Sequence, residues 1–274
     1  QIYVNGLSSS LPEDVQKNAL HQVQGLEKVE FLRPGYAIEY DFFPPAQLKA
    51  TLESKFMNGL YFAGQINGTS GYEEAAGQGL VAGINAAKFI LRQKPLTLRR
   101  DEAYIGVLID DLITKDTMEP YRMFTSRAEY RLLLRYSNAD QRLAQKAKQF
   151  SLIDNSFYDF LFRKIQTTEL LVETLNENVK PKEVNEALSD IDGIEIKHPL
   201  PARQILKRPG VGLAHLPERL IRNIDHSNFD KHIIDEIYTE AETTIKYAGY
   251  IVRQYEQIER LRSQEKLPTP SNFK

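Results

Sequence analysis

A run of small residues behind a short apolar segment, GLYFAGQINGTSGYEEAAGQGLVAGINAAKFIL over positions 59–91, is the stretch that organises this chain. The run predicts a strand over residues 60–63, a polar turn over 65–71 and a helix from Tyr72 onward. Gly64, Gly68 and Gly71 suit tight turns and positive φ. The first amide N–H groups of a helix have no partner within it, so such a turn can present donors and a positive dipole end to a phosphate or an electron-rich ring. The helix carries Ala75, Ala76, Gly79, Ala82, Gly83, Ala86 and Ala87. Glycine costs about 1 kcal/mol per helical position relative to alanine, so its repeated use implies close approach of a sheet or a ligand. Gly77-Gln78-Gly79-Leu80-Val81-Ala82 matches the dinucleotide fingerprint as a string. It lies well inside the helix rather than directly after a strand, which is the wrong context.

The 274 residues suffice for one large domain or two ordinary ones, and 35 basic against 37 acidic residues give no global signal for nucleic acid. No cysteine is present, which excludes disulfides, thiolate metal sites and cysteine nucleophiles and fits a cytoplasmic location. No apolar run approaches a membrane span and no signal peptide is visible, so a membrane partner is not expected. The chain begins at Gln1 rather than Met, mid-pattern in Ile2-Tyr3-Val4-Asn5-Gly6, as a piece of a longer protein would.

Before the organising stretch, Pro12 predicts a helix start after Ser10 or Leu11, with Val15, Ala19 and Val23 on one face and an end near Gly25. Residues 29–33 read as a strand. Tyr36, Tyr40, Phe42 and Phe43 read either as core with an aromatic edge or as a stacking surface. After Leu91, Arg92-Gln93-Lys94-Pro95 marks a boundary. Apolar periodicity predicts a helix over 103–112, in which Asp110 and Asp111 are expected in a solvated or capping role rather than at a metal.

The second informative stretch, 119–135, holds Arg122, Arg127, Arg131 and Arg135 interleaved with Tyr121, Phe124 and Tyr130. Ser126 and Glu129 have capping-box spacing, and the last three arginines fall at four-residue steps, so a basic helical stripe is expected, with a strand over 130–135 as the alternative. Arginine with aromatics suits phosphate contact and base stacking; a charged helix face with Glu partners remains equally open. Residues 137–140 should cap a further helix kept basic by Arg142, Lys146 and Lys148. Amphipathic helices are expected over 157–176 and 229–265, the first with Phe160, Leu161, Ile165 and Leu171 on its apolar face. Proline-punctuated 180–219 reads as looser. His198, His215, His226 and His232 lack metal-ligand spacing, so packing or surface roles are expected and no metal site. Lys246, Tyr247, Tyr250 and Arg253 sit mid-way along the last helix, facing either a neighbour in this chain or another protein.

Taken together, residues 64–76, 119–135 and 246–251, with Asn5-Gly6-Leu7-Ser8-Ser9-Ser10-Leu11-Pro12 and Arg33-Pro34-Gly35-Tyr36-Ala37-Ile38-Glu39-Tyr40-Asp41, closely resemble the MnmG (GidA) family over nearly the whole chain. The resemblance implies an α+β chain: part of an FAD-binding α/β domain over 1–94, a mainly helical tRNA-associated region over 95–220 and a helical partner-binding region over 221–274. It implies a flavoprotein that, with the GTPase MnmE, installs aminomethyl or carboxymethylaminomethyl groups at C5 of the tRNA wobble uridine. FAD is the cofactor, NADH and methylene-tetrahydrofolate are the co-substrates, and a homodimer is expected. On the same resemblance Gly64, Gln65, Ile66, Asn67, Gly68, Gly71, Tyr72 and Glu73 contact FAD. Arg122, Arg127, Arg131 and Arg135 contact tRNA, Arg122 and Arg131 above all, and Lys246, Tyr247, Tyr250 and Arg253 belong to the partner-binding region.

The family's FAD-pyrophosphate fingerprint, its catalytic cysteines and its final helical segment have no counterpart here. No catalytic residue is therefore expected in this stretch, and the chain by itself should hold FAD weakly or not at all. The TrmFO tRNA uridine methyltransferases resemble the organising stretch but lack the helical region after Pro95. A non-catalytic module binding tRNA and the GTPase is the reading from another class.

Overall fold

The computed structural model describes residues 2, 5–6, 9–36, 40–115, 119–189, 191, 195–222 and 228–265. Gln1, Tyr3, Val4, Leu7, Ser8, Ala37, Ile38, Glu39 and His226, named above, lie outside the described residues. Helix α1 spans Glu13–His21, α2 Tyr72–Ile90 and α3 Tyr104–Thr114. Helices α4, Ala139–Gln149, and α5, Asn155–Thr174, follow. Strand β1, Asn178–Val179, leads to α6, Pro181–Leu188, and strand β2, Leu200–Pro201, to α7, Ala202–Leu206. The short α8, Arg219–Arg222, precedes α9, which runs from Lys231 to Glu265. β1 and β2 are antiparallel, with Asn178 opposite Pro201 and Val179 opposite Leu200. The architecture is α+β with a helical C-terminal region.

Two cores form for different reasons. In the larger, Ile237, Ala241 and Ile245 of α9 bury a stripe at four-residue steps against Leu171 of α5, Val184 and Leu188 of α6 and Ile205 and Leu206 of α7. Asp154 starts α5 by accepting the Phe157 N–H at 2.7 Å. Buried Lys164 reaches Asp140 and Glu236 at 2.6 Å each, tying α4, α5 and α9 together. In the smaller core, Val81 and Ala82 of α2 meet Ile109 of α3 and Leu48 and Leu52 of the preceding loop.

The small residues of α2 divide between two surroundings. A Cβ on Gly77 would lie 3.2 Å from Ile105, so glycine there permits the packing of α2 on α3, whereas Gly79 and Gly83 face open space. The expected close approach at those two positions is not made among the described residues.

Other expectations fail for identifiable reasons. The strand over 60–63 shrinks to a single bridge between Glu53 and Tyr61, because among the described residues no longer strand lies beside it. Residues 29–33 form no strand. α1 stops at His21, before Gly25. It buries Gln16 while Val15 and Val23 stay exposed. The Gln16 amide exchanges two hydrogen bonds with the Gly35 backbone, each 2.9 Å, and so fixes the following loop. Tyr36, Tyr40, Phe42 and Phe43 are exposed rather than core. The stretch read as loose supplies Val184, Leu188, Ile196, Ala202, Ile205, Leu206, Val211, Leu213 and Leu216 to the larger core. Its prolines punctuate short elements that still pack.

Adjacent leucines on α5 test this division. Leu171 is fully buried and Leu170 is exposed. Leu171→Ala is expected to cost about 2–5 kcal/mol in urea unfolding, and Leu170→Ala no more than about 0.5 kcal/mol.

Candidate functional site

The turn that ends the apolar segment is built on two glycines. Gly64 has φ +82° and ψ −147° and Gly68 has φ +73°, on either side of a short 3-10 turn, Gln65–Asn67. A residue with a Cβ adopts neither readily. The Gly64 N–H donates to the Gln78 side chain at 2.6 Å, and the Phe43 N–H donates to the Ile66 carbonyl at 2.8 Å. Gln65, Tyr72 and Glu73 are exposed, Ile66 is half-buried and Asn67 is buried. The N-terminus of α2 therefore begins beside the turn, with Gly71 at its cap.

Several polar atoms around the turn are buried without a partner: both side-chain atoms of Asn67, the Thr69 hydroxyl, the Gln78 Nε2 and one Glu74 carboxylate oxygen. An unpaired buried polar group costs about 1–3 kcal/mol, and native structures contain few of them. They gather around one glycine turn, where the polar groups of a bound ligand could meet them.

The arginine segment is attached to this turn. Tyr121 N–H donates to the Gly68 carbonyl at 2.7 Å within a parallel bridge between Thr69 and Tyr121. Met123 N–H donates to Glu74 Oε1 at 2.8 Å. Neither the expected helix nor the alternative strand forms over 127–135. Tyr130 takes φ +48°, and its carbonyl accepts from the Leu133 and Leu134 N–H groups. The capping-box spacing goes unused because the Glu129 carboxylate is engaged by Arg100. Without a helix the four arginines diverge. Arg122 is half exposed with its Nε 3.6 Å from Glu74. Arg127 stacks on the Tyr121 ring at 4.7 Å. Arg131 is exposed and makes no ion pair among the described residues. Arg135 turns inward to Glu240 of α9.

Asp111 holds the segment from below. Its side chain is 1 % exposed, against the expected solvated or capping role. It accepts from Arg100 at 2.6 Å, Lys115 at 2.6 Å and the Tyr121 hydroxyl at 2.9 Å. Arg100 also reaches Asp110 at 2.8 Å and Glu129 at 2.5 Å. Burial pushes the Asp111 carboxyl up, but the hydrogen bonds from Lys115, Arg100 and Tyr121 outweigh it and hold the group below the usual aspartate value. Burial, followed by the bond to Asp111, pushes the Tyr121 hydroxyl up.

Comparison with known proteins decides the family. The family described as "Glucose inhibited division protein A" matches residues 1–94, and "tRNA modifying enzyme MnmG/GidA C-terminal helical domain" matches 155–255. The chain belongs to the MnmG (GidA) family. It is 49 % identical to the tRNA uridine 5-carboxymethylaminomethyl modification enzyme MnmG of Flavobacterium psychrophilum, covering 100 % of this chain and 44 % of that protein. The protein of the same name from Salinibacter ruber is 46 % identical, with 100 % and 41 % covered. The crystal structure of Aquifex aeolicus GidA in its form II crystal superposes with a TM-score of 0.74 at 39 % identity, over 99 % of this chain and 42 % of that one. The chain thus spans less than half the length of the MnmG proteins it matches.

On α9 of this MnmG-family chain, Lys246 pairs with Glu242 at 2.9 Å. Tyr247 and Tyr250 contact at 6.4 Å and Arg253 lies over the Tyr250 ring at 4.7 Å. Both tyrosines are exposed, so this cluster faces away from the core that α9 builds. His215 accepts from the Gly212 N–H and His232 lies 3.3 Å from Glu236. Sequence reasoning missed Glu74, Gln78, Arg100 and Asp111 as members of the site. For Asp111 a signal existed: it falls four residues after Val107 and three after Leu108, on the fully buried face of α3.

Asp111→Asn is expected to cost about 3 kcal/mol at neutral pH, since it removes the buried negative charge on which Arg100, Lys115 and Arg127 converge. The folded pKa of Asp111 is depressed, so its stabilisation is complete above the ordinary aspartate range and is lost as pH falls through the folded value. Urea unfolding from neutrality into acid should show wild type and Asp111→Asn converging; parallel curves would contradict this.

Proposed function

We propose that this chain is the flavin-contacting and tRNA-binding portion of an enzyme that modifies the wobble uridine of tRNA at C5 with an aminomethyl or carboxymethylaminomethyl group. The observation that carries the reading is the joining of two elements: the glycine turn ringed by unpartnered buried polar atoms, and the arginine segment bonded to it through Gly68 and Tyr121. The chemistry of the turn fits a flavin. Asn67 and Gln78 bring amide N–H donors, Thr69 a hydroxyl and α2 its first backbone N–H groups. Glu74, at the third residue of α2, already places a carboxylate at that helix end, so an electron-rich ring and a hydroxylated chain suit the turn better than a phosphate. FAD bound there would supply redox chemistry at its ring. The residues around the turn would orient it and exclude water from the side they cover.

Arg122 and Arg131 are the arginines whose guanidinium groups face outward, and they are the proposed phosphate contacts. Arg127 is half engaged by Tyr121, and Arg135 serves to anchor the segment on α9. Exposed Tyr247, Tyr250 and Arg253, with half-buried Lys246 beside them, are the proposed docking face for the GTPase MnmE. NADH and methylene-tetrahydrofolate as co-substrates, a homodimer and a cytoplasmic location belong to the same reading. Among the described residues no helix is long and apolar enough to cross a membrane. The match of 155–255 to the MnmG/GidA helical domain favours this reading over a TrmFO-like methyltransferase.

In a gel-shift with an unmodified tRNA transcript, Arg131→Ala should weaken binding and flatten the dependence of log K on log salt by about one unit. Unchanged affinity and slope would remove the segment from the RNA interface.

A further inference from the structure

Arg122 lies between two backbone anchors. The residue before it, Tyr121, donates its N–H to Gly68 at 2.7 Å. The residue after it, Met123, donates its N–H to the Glu74 carboxylate at 2.8 Å, across 49 positions of sequence. We propose that Glu74 is a positioning residue: it clamps the backbone around Arg122 onto the N-terminus of α2 and so sets where that arginine meets RNA. The proposal rests on the reading that Arg122 contacts tRNA.

One carboxylate oxygen, Oε1, is placed for this bond. Its side chain is 10 % exposed, and it folds back over Gly71 so closely that a Cβ there would lie 1.8 Å from Oε2. A side chain at position 71 would therefore displace the Glu74 carboxylate, although Gly71 itself has an ordinary φ of −82°. A negative charge in the first turn of a helix is favoured by the helix dipole. Burial works against the charged form of Glu74, but the N–H of Met123, its own N–H and Arg122 outweigh it and hold the carboxyl below its usual value. A charged acceptor makes a stronger bond to an amide than a neutral one. Arg122 approaches Glu74 with its Nε, at 3.6 Å, and its side chain is half exposed. The outer edge of the guanidinium stays open for a phosphate.

If Glu74 instead only masked Arg122, removing it would tighten RNA binding; a clamp predicts the opposite sign. The test measures affinity of the 274-residue chain for an unmodified tRNA transcript in Glu74→Ala, Glu74→Asp, Glu74→Gln, Arg122→Ala and the double variant Glu74→Ala/Arg122→Ala. Amide hydrogen exchange at Met123 and over α5 and α9 accompanies it. Glu74→Ala, and Glu74→Asp with its shorter reach, should each weaken binding about fivefold, and the double variant should be no weaker than Arg122→Ala alone. Glu74→Gln, whose amide oxygen still accepts from Met123, should stay near wild type. Exchange at Met123 should quicken in Glu74→Ala and Glu74→Asp, with α5 and α9 unchanged. Additive losses, a tighter Glu74→Ala, or wild-type affinity in Glu74→Ala and Glu74→Asp while Arg122→Ala is weakened would overturn the proposal alone. Wild-type affinity in Arg122→Ala would overturn the RNA reading and the proposal with it.

Discussion

The buried carboxylate of Asp111 is where the geometry of both candidate elements is set. Taking a carboxylate out of water costs several kcal/mol unless its lone pairs are met by well-placed donors. Here Arg100, Lys115 and the Tyr121 hydroxyl meet them. Arg100, Lys115 and Arg127 stand against Asp110, Asp111 and Glu129, so the cluster is close to neutral. The consequence reaches beyond the charges. With its hydroxyl held by Asp111, Tyr121 has a fixed ring and backbone, its N–H is aimed at the Gly68 carbonyl, and Arg127 has a face on which to stack. The glycine turn and the arginine segment thereby share one support.

The arginine segment is fastened at both ends. At its start, Tyr121 and Met123 bind the turn and α2; at its end, Arg135 pairs with Glu240 in the middle of α9. Farther along α9, Arg262 reaches Asp101 at 2.6 Å, beside the start of α3. The long helix is therefore tied by charge to the small core as well as packed by Ile237, Ala241 and Ile245 into the large one. Between its fastened ends the segment presents Arg131 to solvent. The divergence of the four arginines gives each a different task, which a single helical stripe would not have allowed.

Elements with local causes were legible in the sequence. α3, α5 and α9 follow from apolar periodicity, α2 from its run of small residues after a glycine turn, and the positive φ of Gly64 and Gly68 from the turn they occupy. What escaped depends on partners distant in sequence. Glu129 had the spacing of a helix cap but is captured by Arg100, 29 residues earlier. A four-residue arginine repeat implies a stripe only if the backbone stays helical, and the positive φ of Tyr130 ends that condition. Residues 60–63 have strand composition, but a strand exists only where another lies beside it. Glu74 reads in sequence as one of two acids in a helical first turn, and only the fold brings Met123 to it. The resemblance to MnmG supplied the family where local physics left the arginine segment undecided.

The arginine segment, held on the glycine turn, is the proposed RNA-facing part of this chain. Hydrogen exchange with and without an unmodified tRNA transcript tests it most directly. Slowed exchange over residues 121–131 is expected when RNA is bound. Slowing confined to α9, with 121–131 unchanged, would contradict it.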